Sequence, residues 1–185
     1  MSGIATATRT IVDKLKAAGA KTKIAATRKS APGLLYFDKR AVVIGGGDPH
    51  RLHLDDMVLI KDNHVAIVGR PEEAVKKAKA NISFTKKIEV EVTNVSDVLR
   101  VARAGADVIM LDNFSIEQVK QAVSLLEKEG FLGKVVLEAS GGIKAEDVTD
   151  YALAGVDVIS MGELTHSVKA LDVSLEIVEN KVRSF

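Results

Sequence analysis

The chain contains no cysteine, which removes disulfides, thiolate metal sites and cysteine nucleophiles together. It has no tryptophan and only 4% aromatic residues, so nothing in it supplies the stacking surface on which sugar chains are gripped. It also lacks an excess of either charge: 26 Lys and Arg stand against 25 Asp and Glu, a formal net charge of +1. Bulk basicity therefore gives no reason to expect nucleic acid, and any taste for anions must come from where the cations sit. No apolar run approaches the roughly 18–20 residues that span a bilayer. The N-terminus lacks the basic region and long apolar core of a signal peptide, so the expected location is the cytoplasm, away from membranes.

What is present is a globular composition, 46% apolar and 28% charged over 185 residues, large enough for one domain spanning 1–185. Short runs rich in Val, Ile and Ala recur at residues 24–26, 41–44, 57–60, 88–92, 107–111, 134–138 and 157–161. Their continuous apolar character suits strands covered on both faces. Helical spacing occupies 71–80, 96–104, 115–129 and 145–154, with Pro71 at a permitted first-turn position. Strands alternating with helices predict a parallel α/β fold. "ARAGADVIML" (102–111) and "ALAGVDVISM" (152–161) align at an offset of 152 − 102 = 50 residues. The pattern reads as a helix end, a Gly able to take positive φ, and a buried strand; ordinary βα grammar and true duplication both account for it. A complete eight-stranded barrel takes roughly 250 residues, so about seven strands predict an incomplete, TIM-barrel-like parallel α/β barrel.

In such folds ligands collect beyond the carboxyl ends of the strands. Thr27, Arg28 and Lys29 follow the first apolar run; His50 and Arg51 in "GGGDPHR" follow the second; Lys61 and His64 in "KDNH" follow the third. Glu91 ends the fourth and Asp112 follows the fifth. Ser140, Gly141 and Gly142 follow the sixth, and Gly162 and Glu163 the seventh, with Thr165 and His166 just beyond. Cations thus gather after strands one to three, acids after four and five, and small residues after six and seven.

Each feature alone has a plain explanation. A charge pair after a strand is usually a solvated loop, and Glu89 and Glu91, on one strand face by alternation, could serve as partners for nearby cations. His50 and His53 lack further ligands at a spacing that fits a metal. Jointly the pattern is harder to dismiss. Arg28, Lys29, Arg51 and Lys61 suit a doubly negative substrate. "SGG" opening a helical segment suits phosphate, because glycine lets backbone N–H groups approach an anion closely. Glu91 and Asp112 could hold ribose hydroxyls, magnesium, or positive charge developing on a sugar ring.

The stretches "SGIATATR", "ATRKSAPGLLYFDKRAVVIGGGDPHR", "DMVLIKDNH", "LDNF", "EASGGI" and "MGELTHSVKALDVSLEI" together resemble the C-terminal barrel domain of quinolinate phosphoribosyltransferases, in the family's order, from about Ser2 to Ile177. The resemblance implies phosphoribosyl transfer from phosphoribosyl pyrophosphate to quinolinate with decarboxylation, giving nicotinate mononucleotide, carbon dioxide and pyrophosphate for NAD synthesis. It implies Mg2+ as cofactor, near Glu91 and Asp112, and no organic cofactor. Carried over by motif, Lys29, Lys61, Glu91 and Asp112 are the catalytic candidates. Thr27, Arg28, Lys29, His50, Arg51 and Lys61 would bind quinolinate; Ser140, Gly141, Gly142, Met161, Gly162 and Glu163 would cradle the 5′-phosphate; His166 also falls at the site.

By the same resemblance, an N-terminal domain should precede the barrel, and in a neighbouring subunit it would cover the barrel mouth and lend an arginine. The sequence begins at Met1 where that domain would have ended. A homo-oligomer, possible pairing with a separate N-terminal domain, and weak or no turnover by the chain alone are the resulting expectations. Another phosphosugar-binding barrel enzyme and a non-catalytic barrel subunit or fragment are the alternative readings.

Overall fold

The computed structural model describes residues 1–177; the last eight positions of the expected 1–185 domain lie outside the described residues. The elements run α1 (Ser2–Ala17), β1 (Lys23–Ala26), α2 (Leu35–Gly45), β2 (Val58–Ile60), α3 (Asp62–Val68), α4 (Pro71–Asn81), β3 (Ile88–Val92), α5 (Val95–Ala104), β4 (Val108–Asp112), α6 (Ile116–Lys128), β5 (Val136–Ser140), α7 (Val148–Leu153), β6 (Val158–Met161) and α8 (Glu163–His166). The six strands form one all-parallel sheet in the order β1-β6-β5-β4-β3-β2. Six strands rather than seven are found among the described residues, and the ring stays open between β1 and β2. Among the described residues, only an isolated bridge from Ala25 to Asp48 extends the sheet into that gap.

The missing strand is the run 41–44, which lies inside α2. Its β-branched residues favour a strand by local propensity, but the buried positions Asp38, Lys39, Ala41, Val42 and Gly45 recur at helical spacing. The helix packs tightly on α1: a Cβ at Gly45 would lie 2.6 Å from Thr8 Cβ and 2.7 Å from the Ala5 carbonyl oxygen. Tertiary packing therefore decides the conformation. The other expected helices form, although α7 starts at Val148, three residues later than its pattern suggested.

The two halves of the internal repeat do the same work. Gly105 and Gly155 adopt φ of +95° and +105° just after α5 and α7. Asp107 then accepts the Ile88 N–H of the neighbouring strand at 2.8 Å, and Asp157 accepts the Leu137 N–H at 2.8 Å. Each aspartate pins the start of the strand beside it.

Alternation along the strands separates two environments. Val90, Ile109, Leu111, Leu137, Ala139 and Ile159 face the helices and form the main apolar core. The opposite face of the sheet carries Glu89, Glu91, Met110, Asp112, Glu138, Ser140 and Ser160 in matching registers. The inside of the open ring is thus polar at the carboxyl ends, where the loops converge.

Candidate active site

A cleft of about 480 Å³ opens there, lined by Thr27, Arg28, Lys29, His50, Arg51, Lys61, Glu91, Asp112, Ser140 and Gly141 among others. An adjoining cleft of about 230 Å³ shares Thr27, Lys29, Ser140, Gly141 and Ser160 and adds Gly142, Gly162, Glu163 and His166. Met161 stands apart from both: its side chain is buried and lines a groove on the α1 side of the sheet. His53 and His64 also lie outside the clefts. The His53 N–H donates to Asp56, and the His64 ring accepts the Lys61 N–H at 2.9 Å, capping α3.

On the β1 side, the cationic loop is braced from within. The Lys29 N–H donates to Thr27 Oγ1 at 3.1 Å, and Thr165 of α8 donates its hydroxyl to the Lys29 carbonyl at 2.5 Å. Across the ring, the Lys61 ammonium pairs with Glu91. Asp112 accepts the Asn113 side-chain amide at 3.0 Å. The only non-glycine residues with positive φ among the described residues are His50 at +53° and Asn113 at +56°, both in loops at the cleft. The His50 turn is held by its own N–H donating to Asp48 Oδ1 at 2.8 Å, a local bond that makes this conformation tolerable.

The glycine loop differs from expectation. Gly141 and Gly142 take φ of +97° and +60°, but five residues separate Gly142 from α7. An anion there would meet main-chain N–H groups of a turn, and the helix terminus offers it nothing.

Beneath the cleft His50 meets Glu89 and Glu138, the last a residue that sequence reading passed over. Glu138 is 2% exposed and Glu89 fully buried. His50 Nε2–H donates to Glu138 Oε2 at 3.2 Å and sits 3.4 Å from Glu89 Oε2. Both Glu89 oxygens, Glu138 Oε1 and the Ser160 hydroxyl have no hydrogen-bond partner. Burial first, and the charge of Glu138 second, push the Glu89 carboxyl up to about 7. For His50, burial opposes protonation, but the hydrogen bond and charge of Glu138, with Glu89, outweigh it and raise the ring above its ordinary value. One ligand atom from each of the three residues falls within 4.8 Å of the others, a spacing that could suit a cation. The ring chemistry argues otherwise: the Arg51 N–H donates to His50 Nδ1 at 2.8 Å, which keeps the ring proton on Nε2, facing the carboxylates. The trio is a proton-bearing cluster.

Glu138 was legible in principle, because Glu138 and Ser140 alternate with Leu137 and Ala139 as an inner-face pair. Lys39, 3% exposed in α2, was not: only the fold shows its amine turned toward the loops of the cleft.

Comparison with known proteins gives the chain its family. A Methanothermobacter thermautotrophicus protein named probable nicotinate-nucleotide pyrophosphorylase (carboxylating) is 52% identical over 177 residues, covering 96% of this chain and 63% of its own length. The Homo sapiens nicotinate-nucleotide pyrophosphorylase (carboxylating) is 38% identical, with 98% of this chain and 60% of that protein covered. The Francisella tularensis nicotinate-nucleotide pyrophosphorylase structure superposes with a TM-score of 0.85 at 44% identity, over 94% of this chain and 59% of that one. The chain thus spans about three fifths of the length of these relatives. Residues 4–176 match the family model "Quinolinate phosphoribosyl transferase, C-terminal domain", and the chain belongs to that family.

Proposed function

We propose that this chain is the catalytic barrel of a carboxylating nicotinate-nucleotide pyrophosphorylase, transferring phosphoribose from phosphoribosyl pyrophosphate to quinolinate with loss of carbon dioxide. The observation that carries the reading is the sorting of charge around one cleft. Arg28, Lys29 and Arg51 lie toward the β1 edge, Glu91 and Asp112 toward the β2 edge with Lys61 paired to Glu91, and Ser140 to Gly142 between them.

Under this reading the larger compartment takes the pyridine dicarboxylate, whose two anionic groups suit the Arg forks. The smaller takes the 5′-phosphate against the Gly141–Gly142 turn, with Lys29 and His166 beside it. The unpartnered Ser160 hydroxyl, at the junction, offers a donor to either ligand. The pyridine nitrogen attacks the anomeric carbon with its own lone pair, the new N–C bond forms, and the bond to pyrophosphate breaks. No strong general base is needed. Glu91 and Asp112 stabilise the positive charge that develops on the ribose. The bond to the carboxyl group beside the nitrogen then breaks, its electrons enter the cationic ring, and the carbon left behind takes a proton. The Lys29 and Lys61 ammonium groups are suited to supply it.

Glu91 and Asp112 are hard oxygen donors on adjacent strands of the same cleft and fit Mg2+ shared with substrate phosphates. The ion would supply charge neutralisation for the departing pyrophosphate. Tyr36, Phe37 and Ile44 leave apolar surface exposed on α2, which supports self-association. A covering domain over the cleft and a cytoplasmic location belong to the same proposal.

The test is to incubate the chain with quinolinate, phosphoribosyl pyrophosphate and Mg2+, with and without a separately supplied N-terminal domain of a relative. Nicotinate mononucleotide is expected, at least with the added domain. Absence of product in both cases, from folded chain, would overturn the catalytic reading in favour of a binding or structural role.

A further inference from the structure

The buried face of α2 carries two charged side chains, Asp38 and Lys39, 6% and 3% exposed. A buried ammonium is costly, and here two main-chain carbonyls receive it. Lys39 Nζ donates to the Ala26 oxygen at 3.2 Å and also to the Pro49 oxygen. Those carbonyls belong to the residues immediately before Thr27 and immediately before His50. Its neighbour Asp38 accepts the hydroxyl of Ser30, immediately after Lys29.

We infer that Asp38 and Lys39 are positioning residues that bracket the Thr27–Arg28–Lys29 loop at both ends and couple it to the loop bearing His50 and Arg51. The inference rests on the proposed function for what the bracket serves, but its geometry stands alone. Arg28, Lys29 and Arg51 repel one another when no anion is bound, and loops carrying like charges would spread apart. A dianion recognised at two points needs those charges at a fixed separation before it arrives, so the anchor must not depend on the ligand. Main-chain carbonyls serve that purpose, because they fix the backbone and leave every cationic side chain free for substrate. The Gly141–Gly142 turn lies outside the bracket, so the smaller compartment depends on it only through Thr27 and Lys29.

The experiment compares the parent chain with Lys39→Met, Asp38→Asn and Asp38→Leu. Melting temperature, amide hydrogen exchange, and calorimetric binding of quinolinate and of inorganic phosphate are measured for each. The amides of Lys29, His50 and Arg51 are hydrogen-bonded and report on the two loops. In Lys39→Met their exchange should quicken roughly tenfold or more while that of the β4 and β5 amides is unchanged. Quinolinate binding should weaken roughly tenfold and phosphate binding clearly less, because Arg28, His50 and Arg51 line only the larger compartment, while the smaller one draws just Thr27 and Lys29 from the bracketed loops. Asp38→Asn, which keeps an acceptor for Ser30, should retain quinolinate binding where Asp38→Leu loses it. Unchanged exchange in the two loops overturns the bracket, and so does a parallel loss of both ligands that tracks the melting temperature. If the parent chain binds phosphate but no quinolinate, the proposed function falls, and the exchange measurement alone decides the bracket.

Discussion

At the scale of single residues, the charges of this protein divide by what water can reach. Glu89 is fully buried with neither oxygen hydrogen-bonded, and its carboxyl is pushed up to about 7 from an ordinary 4.5. A carboxyl raised in the fold costs nothing below the unfolded value, and its cost grows as pH rises from 4.5 to 7. Glu89→Gln should therefore match the parent in stability at pH 4 and exceed it at pH 8 by on the order of 1–3 kcal/mol. Urea melts at the two pH values check this; an equal gap at both would contradict it. Arg28 is the opposite case, exposed and awaiting a partner. If it grips quinolinate, Arg28→Ala should cost on the order of 2–5 kcal/mol of binding, since a substrate charge is left desolvated and unpaired. Titration calorimetry reads this directly, and unchanged affinity would refute the role. Arg28 was visible in the sequence because it breaks an apolar run just where a strand surfaces. Glu138 was not singled out, because one acid inside "VVLEAS" looks like an interruption until the sheet gives its alternation a direction.

Among the elements, α2 shows why local propensity and packing can disagree. "AVVI" has the composition of a strand, yet its buried positions follow a helical period and its end is pressed against α1 at Gly45. The sequence carried both signals, and only contact with α1 ranks them. The repeat was clearer: helix end, Gly and strand appeared in both copies where expected, while the purpose of the shared aspartate needed coordinates. Asp107 and Asp157 each receive one N–H from the first two residues of the neighbouring strand. Alanine at either site leaves such a group without its acceptor, at about 1–3 kcal/mol. The two substitutions should destabilise by similar amounts and leave ligand affinity unchanged. Chemical denaturation of Asp107→Ala and Asp157→Ala tests this, and a difference beyond about 2 kcal/mol would mean the copies are not equivalent.

Across the whole molecule, the α/β class and the incomplete ring were legible from strand spacing and chain length, because burial on both faces leaves a strong mark in sequence. The position of the opening was not, since it depends on α2 replacing a strand. That opening separates the loops of Arg28 and Arg51 from Lys61 on the far side, with the Ala25–Asp48 bridge as the only sheet contact reaching into it among the described residues. An anion held by both sides would span it. Quinolinate should then slow amide exchange along β1 and β2 more than along β4 and β5, measured by mass spectrometry. Uniform protection of all strands would argue against such bridging. With a ligand so held, the unclosed ring would work as a spring clip: its two arms are joined through hydrogen bonds the long way round, and the bound molecule would be the short cross-brace. Stiffness in such a barrel would rise and fall with occupancy, and the empty form would be the one best able to admit a ligand and let it go.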